Sequence, residues 1–283
     1  MMIMKKEREA ESVFTLRDIV QPETLEEAYQ SLTSKRNNII LGGCAFLRLG
    51  SKPIGTGIDL GKLNLDKITM HEDSIEIGAM VTFRDIETHP YVKEHFGGVL
   101  PKALGNIIGV QFRNIVTVGG SVFSKYGFSD FLTALLALDT EVELYNAGRL
   151  PLSEFLEMPY KKDILKAIHI RKDNRKAFYH DLRVSASDFP VLNVSVSDKA
   201  GDWQIVVGAR PQRAKRAVKA SGQLSKALAE NSNQIDKVDL DYIAEQAATE
   251  LNFGTNARGS ATYRQTVCKA LVKRAITEVA ACK

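Results

Sequence analysis

The N-terminal part of the chain carries the hydrophobic spacing of a helix followed by a buried strand. In "QPETLEEAYQSLTS", Thr24 and Glu27 stand at the spacing of a capping box, which predicts a helix after Thr24. One face of this helix is apolar and consists of Leu25, Ala28, Tyr29 and Leu32. Asn37 and Asn38 indicate a turn, and "NIILGG" then reads as a short buried strand. The pattern predicts a small βαβ unit over about residues 1–60.

The next part of the chain, to about residue 175, alternates strand patterns with helix patterns. Period-two alternation predicts strands in "DSIEIGAMVT", "TEVELYN" and "DILKAIHI". Helical spacing predicts helices in "VTFRDIETHP", "GGVLPKALGNIIG" and "SDFLTALLALDT", the last capped by Ser129 or Asp130. The apolar run in "NIVTVGG" predicts a further strand that ends at its two glycines.

After about residue 175 the pattern changes to a hairpin followed by helices. "DFPVLNVSVSDKAGDWQIVVGARP" holds two alternating runs around a polar turn, which predicts a β-hairpin. Helices are predicted in "LSKALAE", "LDYIAEQAATEL" and "SATYRQTVCKALVKRAITEVA". The chain is therefore predicted to be α+β. Its first domain covers residues 1–175, divided near residue 60, and its second covers residues 176–283 with a small antiparallel sheet and a helical bundle.

Composition and charge narrow the possible partners. The chain has 283 residues, 44% hydrophobic and 25% charged, as in ordinary globular proteins. Its net charge of +4 is interspersed and lacks the one-sided basic footprint of a nucleic-acid-binding protein. The sequence has no membrane-length apolar run and no signal-peptide core. The three cysteines and five histidines do not cluster. We therefore expect a cytoplasmic protein with no metal site and with neither nucleic acid nor membrane as a partner.

Two glycine pairs carry the candidate chemistry. They occur in "IILGGCAFLRLG" and "RNIVTVGGSVFSKYGFSD", each directly after an apolar run. Glycine lets another group approach the main chain, and successive amides near a helix start can hold an anion. Two such loops suit the two phosphates of a dinucleotide, with hydroxyls of Thr117 and Ser121 beside them and Asp130 placed for ribose. Because neither loop matches the G-x-G-x-x-G or P-loop pattern, two simple tight turns remain the alternative.

Longer segments resemble a known family. "ILGGCAFLRLG", "QFRNIVTVGGSVFSKYGFSDFLTALLALDTEVEL" and "ARGSATYRQTVCKALVKRAI" together resemble the FAD-binding subunit of molybdenum hydroxylases, the xanthine dehydrogenase and carbon monoxide dehydrogenase family. The resemblance extends over almost the whole chain. It implies a two-part FAD-binding domain, a small βαβ part and a larger α+β part, followed by a C-terminal flavoprotein domain. It also implies one non-covalent FAD, held at its pyrophosphate between the two glycine loops.

The resemblance implies cofactor-binding residues by position. The first loop supplies Leu41, Gly42, Gly43, Cys44, Ala45 and Phe46; the second supplies Thr117, Gly119, Gly120 and Ser121; Asp130 contacts the adenosine side, and Leu165 and His180 lie toward the flavin. Cys44 and Ala45 depart from the Thr or His and Asp or Ser usual in the family, which leaves a grip by the main chain alone. Tyr126 and Phe128 pack either on adenine or on the protein core.

By the same resemblance, the chain is expected to be the FAD-carrying electron-transfer subunit of a multi-subunit oxidoreductase. A large molybdopterin subunit and a small subunit with [2Fe–2S] clusters are the implied partners. Electrons would pass through the clusters to FAD and then to an acceptor such as NAD. Two alternatives remain: a flavin-free assembly or binding subunit, which the altered Cys44-Ala45 pair favours, and a stand-alone FAD oxidoreductase.

Overall fold

The N-terminal sheet is parallel and confirms the predicted βαβ unit. A computed structural model describes residues 15–282, apart from the side chain of Arg48. The sheet has the order β1 (Leu16–Val20), β3 (Ile54–Asp59), β2 (Ile39–Leu41), and helix α1 (Leu25–Ser34) connects β1 to β2. The Thr24 hydroxyl caps α1 by accepting a hydrogen bond from the Glu27 amide at 3.2 Å. Helix α1 buries its apolar face on this sheet. Strand β2 lies at the edge of the sheet and leads directly into the first glycine pair.

A second, antiparallel sheet forms the centre of the molecule. Its order is β4 (Ile68–Met70), β5 (Ser74–Gly78), β8 (Leu165–Arg171), β6 (Thr140–Leu144), β7 (Gly148–Pro151). Six helices lie between β5 and β6: α2 (Phe83–Thr88), α3 (Pro90–Glu94), α4 (Val99–Gly105), α5 (Val110–Arg113), α6 (Val118–Ser124) and α7 (Asp130–Leu136). Helix α8 (Leu152–Glu157) lies between β7 and β8. The alternating isoleucines of β5 and β8 lie on one face of the sheet and pack against these helices in the core.

A third sheet and three helices complete the fold. The sheet is antiparallel, in the order β12 (Lys215–Arg216), β11 (Asp202–Gly208), β10 (Pro190–Lys199), β9 (Lys176–Arg183). Helices α9 (Val218–Glu230), α10 (Leu240–Glu250) and α11 (Ala261–Ala281) cover its apolar face. The predicted α+β class and the hairpin β10–β11 are confirmed. The boundaries near residues 60 and 175 stay predictions. Within residues 15–282, no helix has the length and hydropathy needed to cross a bilayer.

Strand β10 is buried on both faces. Leu192, Val194 and Val196 pack under the C-terminal helices. The other face is polar and meets α7: the Thr133 hydroxyl donates to Asn193 Oδ1 at 2.9 Å, and Ser197 donates to a main-chain carbonyl at 2.5 Å. Burial of these polar groups is tolerated because each has a hydrogen-bond partner.

One local prediction is wrong. The run "NIVTVGG" forms no strand, since only a single bridge joins Thr117 to Thr82. The Thr117 hydroxyl accepts a hydrogen bond from the Gly120 amide at 3.1 Å and begins helix α6, whose first turn contains the glycine pair. The cap of α7 is Ser129, which accepts a hydrogen bond from the Leu132 amide at 3.1 Å. Asp130 is therefore released for another role.

Lys162 ties the N-terminal unit to the residues before β8. Its ammonium donates to the carbonyls of Leu32, Lys35 and Asn38 at 2.7, 2.6 and 3.0 Å, at the C-terminal end of α1. We expect Lys162→Met to lower the free energy of unfolding by about 1–2 kcal/mol, because it removes a charge from a helix C-terminus and three charge-assisted hydrogen bonds. Urea denaturation measures the loss. Lys161→Met, at an exposed neighbour, is the control; equal effects of the two variants would contradict this role.

Candidate functional site

The two glycine pairs touch each other, although more than seventy positions separate them in the sequence. A Cβ at Gly42 would lie 3.0 Å from the Thr117 hydroxyl, and a Cβ at Gly120 would lie 2.7 Å from the Gly42 carbonyl oxygen. Gly43 has φ +66°, and a Cβ there would stand 1.6 Å from the carbonyl oxygen of Ile115. The glycines are needed because two main-chain segments cross here at a distance that side chains do not allow.

The two loops differ in their free main-chain donors. None of the described residues accepts a hydrogen bond from the amides of residues 43–46. The first amides of α6 are all paired: those of Val118 and Gly119 with carbonyls of residues 81 and 79, and those of Gly120 and Ser121 with Thr117. The amides of the first loop are therefore available to an anion, and binding of the pyrophosphate there stays a prediction. The second loop contributes its small size and the nearby hydroxyl of Ser121.

A cavity of about 1190 Å³ opens beside the crossing of the loops. It lies between residues 36–54, 107–116, 120–130 and 183–189. The predicted site residues that line it are Gly42, Cys44, Ala45, Phe46, Gly120, Ser121 and Asp130. Leu41, Gly43, Thr117 and Gly119 stand directly behind these residues in β2, the first loop and α6. A cavity of this size accommodates a large cofactor.

One side of the cavity is aromatic. Phe46 of the first loop lies 5.1, 5.3 and 5.9 Å from the ring centroids of Tyr126, Phe128 and Phe189. Tyr126 stacks on Phe128 at 5.0 Å with an interplanar angle of 14°, and Phe128 meets Phe189 at 4.2 Å. We call these residues the aromatic wall. Tyr126 and Phe128 are half-buried, pack on the other rings of the wall and line the cavity, and neither belongs to an apolar core cluster. Packing on adenine stays a prediction.

Asp130 is the buried acid of the cavity. Its Oδ1 accepts hydrogen bonds from Tyr179 Oη, from Arg183 Nη2 at 2.7 Å and from Asn193 Nδ2 at 3.3 Å. Burial raises the pKa of the Asp130 carboxyl, and the Arg183 charge and these donors oppose that rise. Burial and the Asp130 charge hold the pKa of the Tyr179 phenol well above its usual value. Among the described residues none donates to Oδ2, which leaves that oxygen available to a ligand.

Cys44 lines the cavity as a thiol. Burial raises its pKa, the charge of Asp59 adds to that rise, and the Gly42 amide partly opposes it. A thiol with a raised pKa is protonated at neutral pH and is a poor nucleophile and metal ligand. The residue is also in the left-handed region, with φ 57°. Among residues 15–282 no cluster of three or more His, Cys, Asp or Glu side chains is placed to hold a metal ion.

The structure does not bring Leu165 and His180 to the cavity. Leu165 is buried in the central sheet at the start of β8, and His180 lies on β9 beside the ring of Phe178. Arg183 and Phe189 line it instead, although the sequence pattern gave no reason to choose them. Their only sequence signal is the stretch "DLRVSASDFP", whose Arg and Phe stand at the two ends of the loop between β9 and β10.

Two family models match consecutive parts of the chain. The model described as the FAD binding domain in molybdopterin dehydrogenase matches residues 12–171, and that of the CO dehydrogenase flavoprotein C-terminal domain matches residues 177–279. The chain belongs to this flavoprotein family. Flavoproteins of this family are components of oxidoreductases and bind FAD. The predicted enzyme class and the predicted cofactor are therefore confirmed.

Individual relatives match over nearly the whole flavoprotein. The nicotine 6-hydroxylase medium subunit of Paenarthrobacter nicotinovorans is 26% identical over 278 residues, covering 92% of this chain and 96% of that one. The glyceraldehyde dehydrogenase medium chain of Sulfolobus acidocaldarius is 25% identical over 280 residues, covering 92% and 97%. The crystal structure of quinoline 2-oxidoreductase from Pseudomonas putida 86 matches with a TM-score of 0.82 at 21% identity, covering 95% of this chain and 98% of that one, and so shares the fold.

The crossing of the two loops can be tested with a pair of glycines in helices. We expect Gly120→Ala to lower the free energy of unfolding by about 1–3 kcal/mol, because its Cβ meets the Gly42 carbonyl at 2.7 Å. Gly222 lies in α9 with no atom near the position of a Cβ, so Gly222→Ala should raise it by up to about 1 kcal/mol. Chemical denaturation measures the free energy of unfolding of both variants. Stabilisation by Gly120→Ala would show that the two loops do not need the close approach of Gly120 to the Gly42 carbonyl.

Proposed function

We propose that this flavoprotein is the FAD-carrying electron-transfer subunit of a multi-subunit molybdenum hydroxylase. The observation that carries the proposal is the cavity of about 1190 Å³ at the crossing of the two glycine loops, where free amides, an aromatic wall and a buried carboxylate meet. Those features match the pyrophosphate, the adenine and the ribose of one FAD molecule. The names of the relatives support the proposal, because they describe a medium subunit and a medium chain.

Each part of the cavity has a role in holding FAD. The amides of residues 44–46 donate to the pyrophosphate, and Gly42 and Gly120 let it approach the main chain. The hydroxyl of Ser121 donates from the second loop. Leu41, Gly43, Thr117 and Gly119 hold the two loops in place. The adenine packs on the aromatic wall, and Oδ2 of Asp130 accepts a hydrogen bond from the ribose. Leu165 and His180 are left out of this site because they lie away from the cavity.

The chemistry is divided among subunits. FAD supplies the ability to take electrons singly from iron–sulfur clusters and to pass them in pairs to an acceptor such as NAD. This chain positions the isoalloxazine and shields it from water with the apolar lining of the cavity. We place the molybdopterin on a large partner subunit and the [2Fe–2S] clusters on a small one. We place the whole complex in the cytoplasm.

The first test is the identity and attachment of the cofactor. The purified chain should hold FAD in a 1:1 ratio, and acid precipitation should release it as FAD because no covalent bond retains it. Cofactor content is measured from the visible absorbance of the supernatant and by chromatography against FMN. A colourless chain that binds no added FAD would support the flavin-free assembly subunit instead.

The second test separates a subunit from a stand-alone oxidoreductase. If NAD is the acceptor, NADH should bleach the visible absorbance of the bound flavin in the isolated chain, because NADH donates hydride to flavins. The organic substrate of the complex should bleach it only after both partner subunits are added. Bleaching by that substrate in the isolated chain would contradict the subunit assignment.

The third test addresses Asp130 without changing the protein. Asp130 anchors Tyr179, Arg183 and Asn193, so its substitution would disturb the fold as well as the ligand. The ligand can be changed instead: 2′,3′-dideoxy-ADP lacks the ribose hydroxyls. We expect it to bind about tenfold more weakly than ADP, because a hydrogen bond to a charged acceptor contributes about 1.5 kcal/mol or more. Calorimetric titration measures both; equal affinities would remove Asp130 from the ribose site.

A further inference from the structure

Residues 188–189, which line the cavity, are held by an arginine that does not line it. Arg258 Nε and Nη2 donate to Asp188 Oδ1 at 2.9 and 2.7 Å. The guanidinium carbon lies 5.0 Å from the centroid of the Phe189 ring, which places the charge over the aromatic face. One side chain from the loop before α11 therefore fixes both an acid and a ring of the cavity.

The loop that carries Arg258 is itself held rigidly. Arg264 is buried and donates to the carbonyls of Val191 and Gly254 at 2.9 and 2.7 Å, to that of Gly259, and to Asn256 Oδ1 at 2.6 Å. The carbonyl of Val191 belongs to β10, directly after Phe189 and Pro190. Arg264 thus joins the loop that carries Arg258 to β10, the strand that begins directly after Phe189 of the aromatic wall.

Arg183 holds the same short segment as well. Its Nη1 donates to the Asp188 carbonyl at 2.6 Å, while its Nη2 donates to Asp130. Residues 188–189 are therefore held by both Arg183 of β9 and Arg258 of the loop before α11. An ion pair whose side chains are 35% and 29% exposed contributes little to folding stability, so the position of Phe189 is the more important consequence.

We propose that Arg258 is a positioning residue for the cofactor: it orients Phe189 so that the aromatic wall is shaped to receive adenine before FAD arrives. The proposal rests on the proposed function, since it assigns the adenine to this wall. Orientation of a ring in advance lowers the entropy lost on binding, so the role should appear in the affinity for any ligand that carries adenosine diphosphate.

The experiment measures ADP and FAD binding to the full-length apo-chain. We expect Arg258→Gln to raise both dissociation constants by the same factor, about three- to tenfold, which is the size of one ion pair and one cation–π contact. Arg258→Lys keeps the charge and should recover part of the loss. Arg171→Gln is the matched control, because Arg171 pairs with Asp139 on the surface and does not line the cavity. It should leave both dissociation constants unchanged.

Two further variants separate positioning from other roles. If Arg258 acts through Phe189, the double variant Arg258→Gln/Phe189→Leu should bind ADP no more weakly than Phe189→Leu alone. Asp188→Asn should weaken ADP binding as Arg258→Gln does. Additive losses in the double variant, or tighter binding by Asp188→Asn, would overturn the proposal; the second result would mean that Arg258 only neutralises an acid near the phosphates.

The outcomes also separate this proposal from the function on which it rests. A wild-type chain that binds neither FAD nor ADP overturns the proposed function. A wild-type chain that binds both, while Arg258→Gln binds them as well as Arg171→Gln does, overturns only the role of Arg258. Thermal unfolding of each apo-variant accompanies the titrations, because a purely structural arginine would lower the melting temperature and leave the affinities unchanged.

Discussion

The site depends on a close crossing of two main-chain segments. The Gly42 carbonyl occupies the space where a side chain at position 120 would begin, at 2.7 Å from that Cβ position. The parallel sheet brings one segment to this point and the central sheet with its helices brings the other. The first loop carries the free amides and Phe46, and α6 leads to Tyr126 and Phe128, so these parts of the cavity are placed by the crossing. A single methyl group at the contact therefore acts on the site as a whole.

A second constraint is the buried charge at Asp130. A carboxylate removed from water needs partners, and the fold supplies them from β9 and β10 through Arg183, Tyr179 and Asn193. All three donors use one oxygen, so the acid can be both an anchor of the fold and an acceptor for a ligand. Breaking such a buried pair costs several kcal/mol, which ties the shape of the cavity to the stability of the protein.

The sequence allowed much of the fold to be predicted, because capping residues and alternation act locally. Helix α1, the hairpin β10–β11 and the importance of both glycine pairs followed from such signals. The segment before Gly119 was misjudged because its β-branched residues favour a strand, while the Thr117 cap and the packing around it favour a helix. Arg183 and Phe189 could not be foreseen, since the pairing of β9 with β10 places Arg183 beside Asp130 and brings Phe189, next to Pro190, against Phe128.

The interior is shared across the predicted domain boundary. Ala177, Tyr179 and Val206 belong to the same apolar cluster as the helices between β5 and β6, and α7 is hydrogen-bonded to the polar face of β10. A chain cut near residue 175 would consequently leave two fragments that each lack part of a common core. During synthesis, the first 175 residues cannot complete this core until β9, β10 and β11 have left the ribosome, and until then Asp130 lacks the three side chains that bond it.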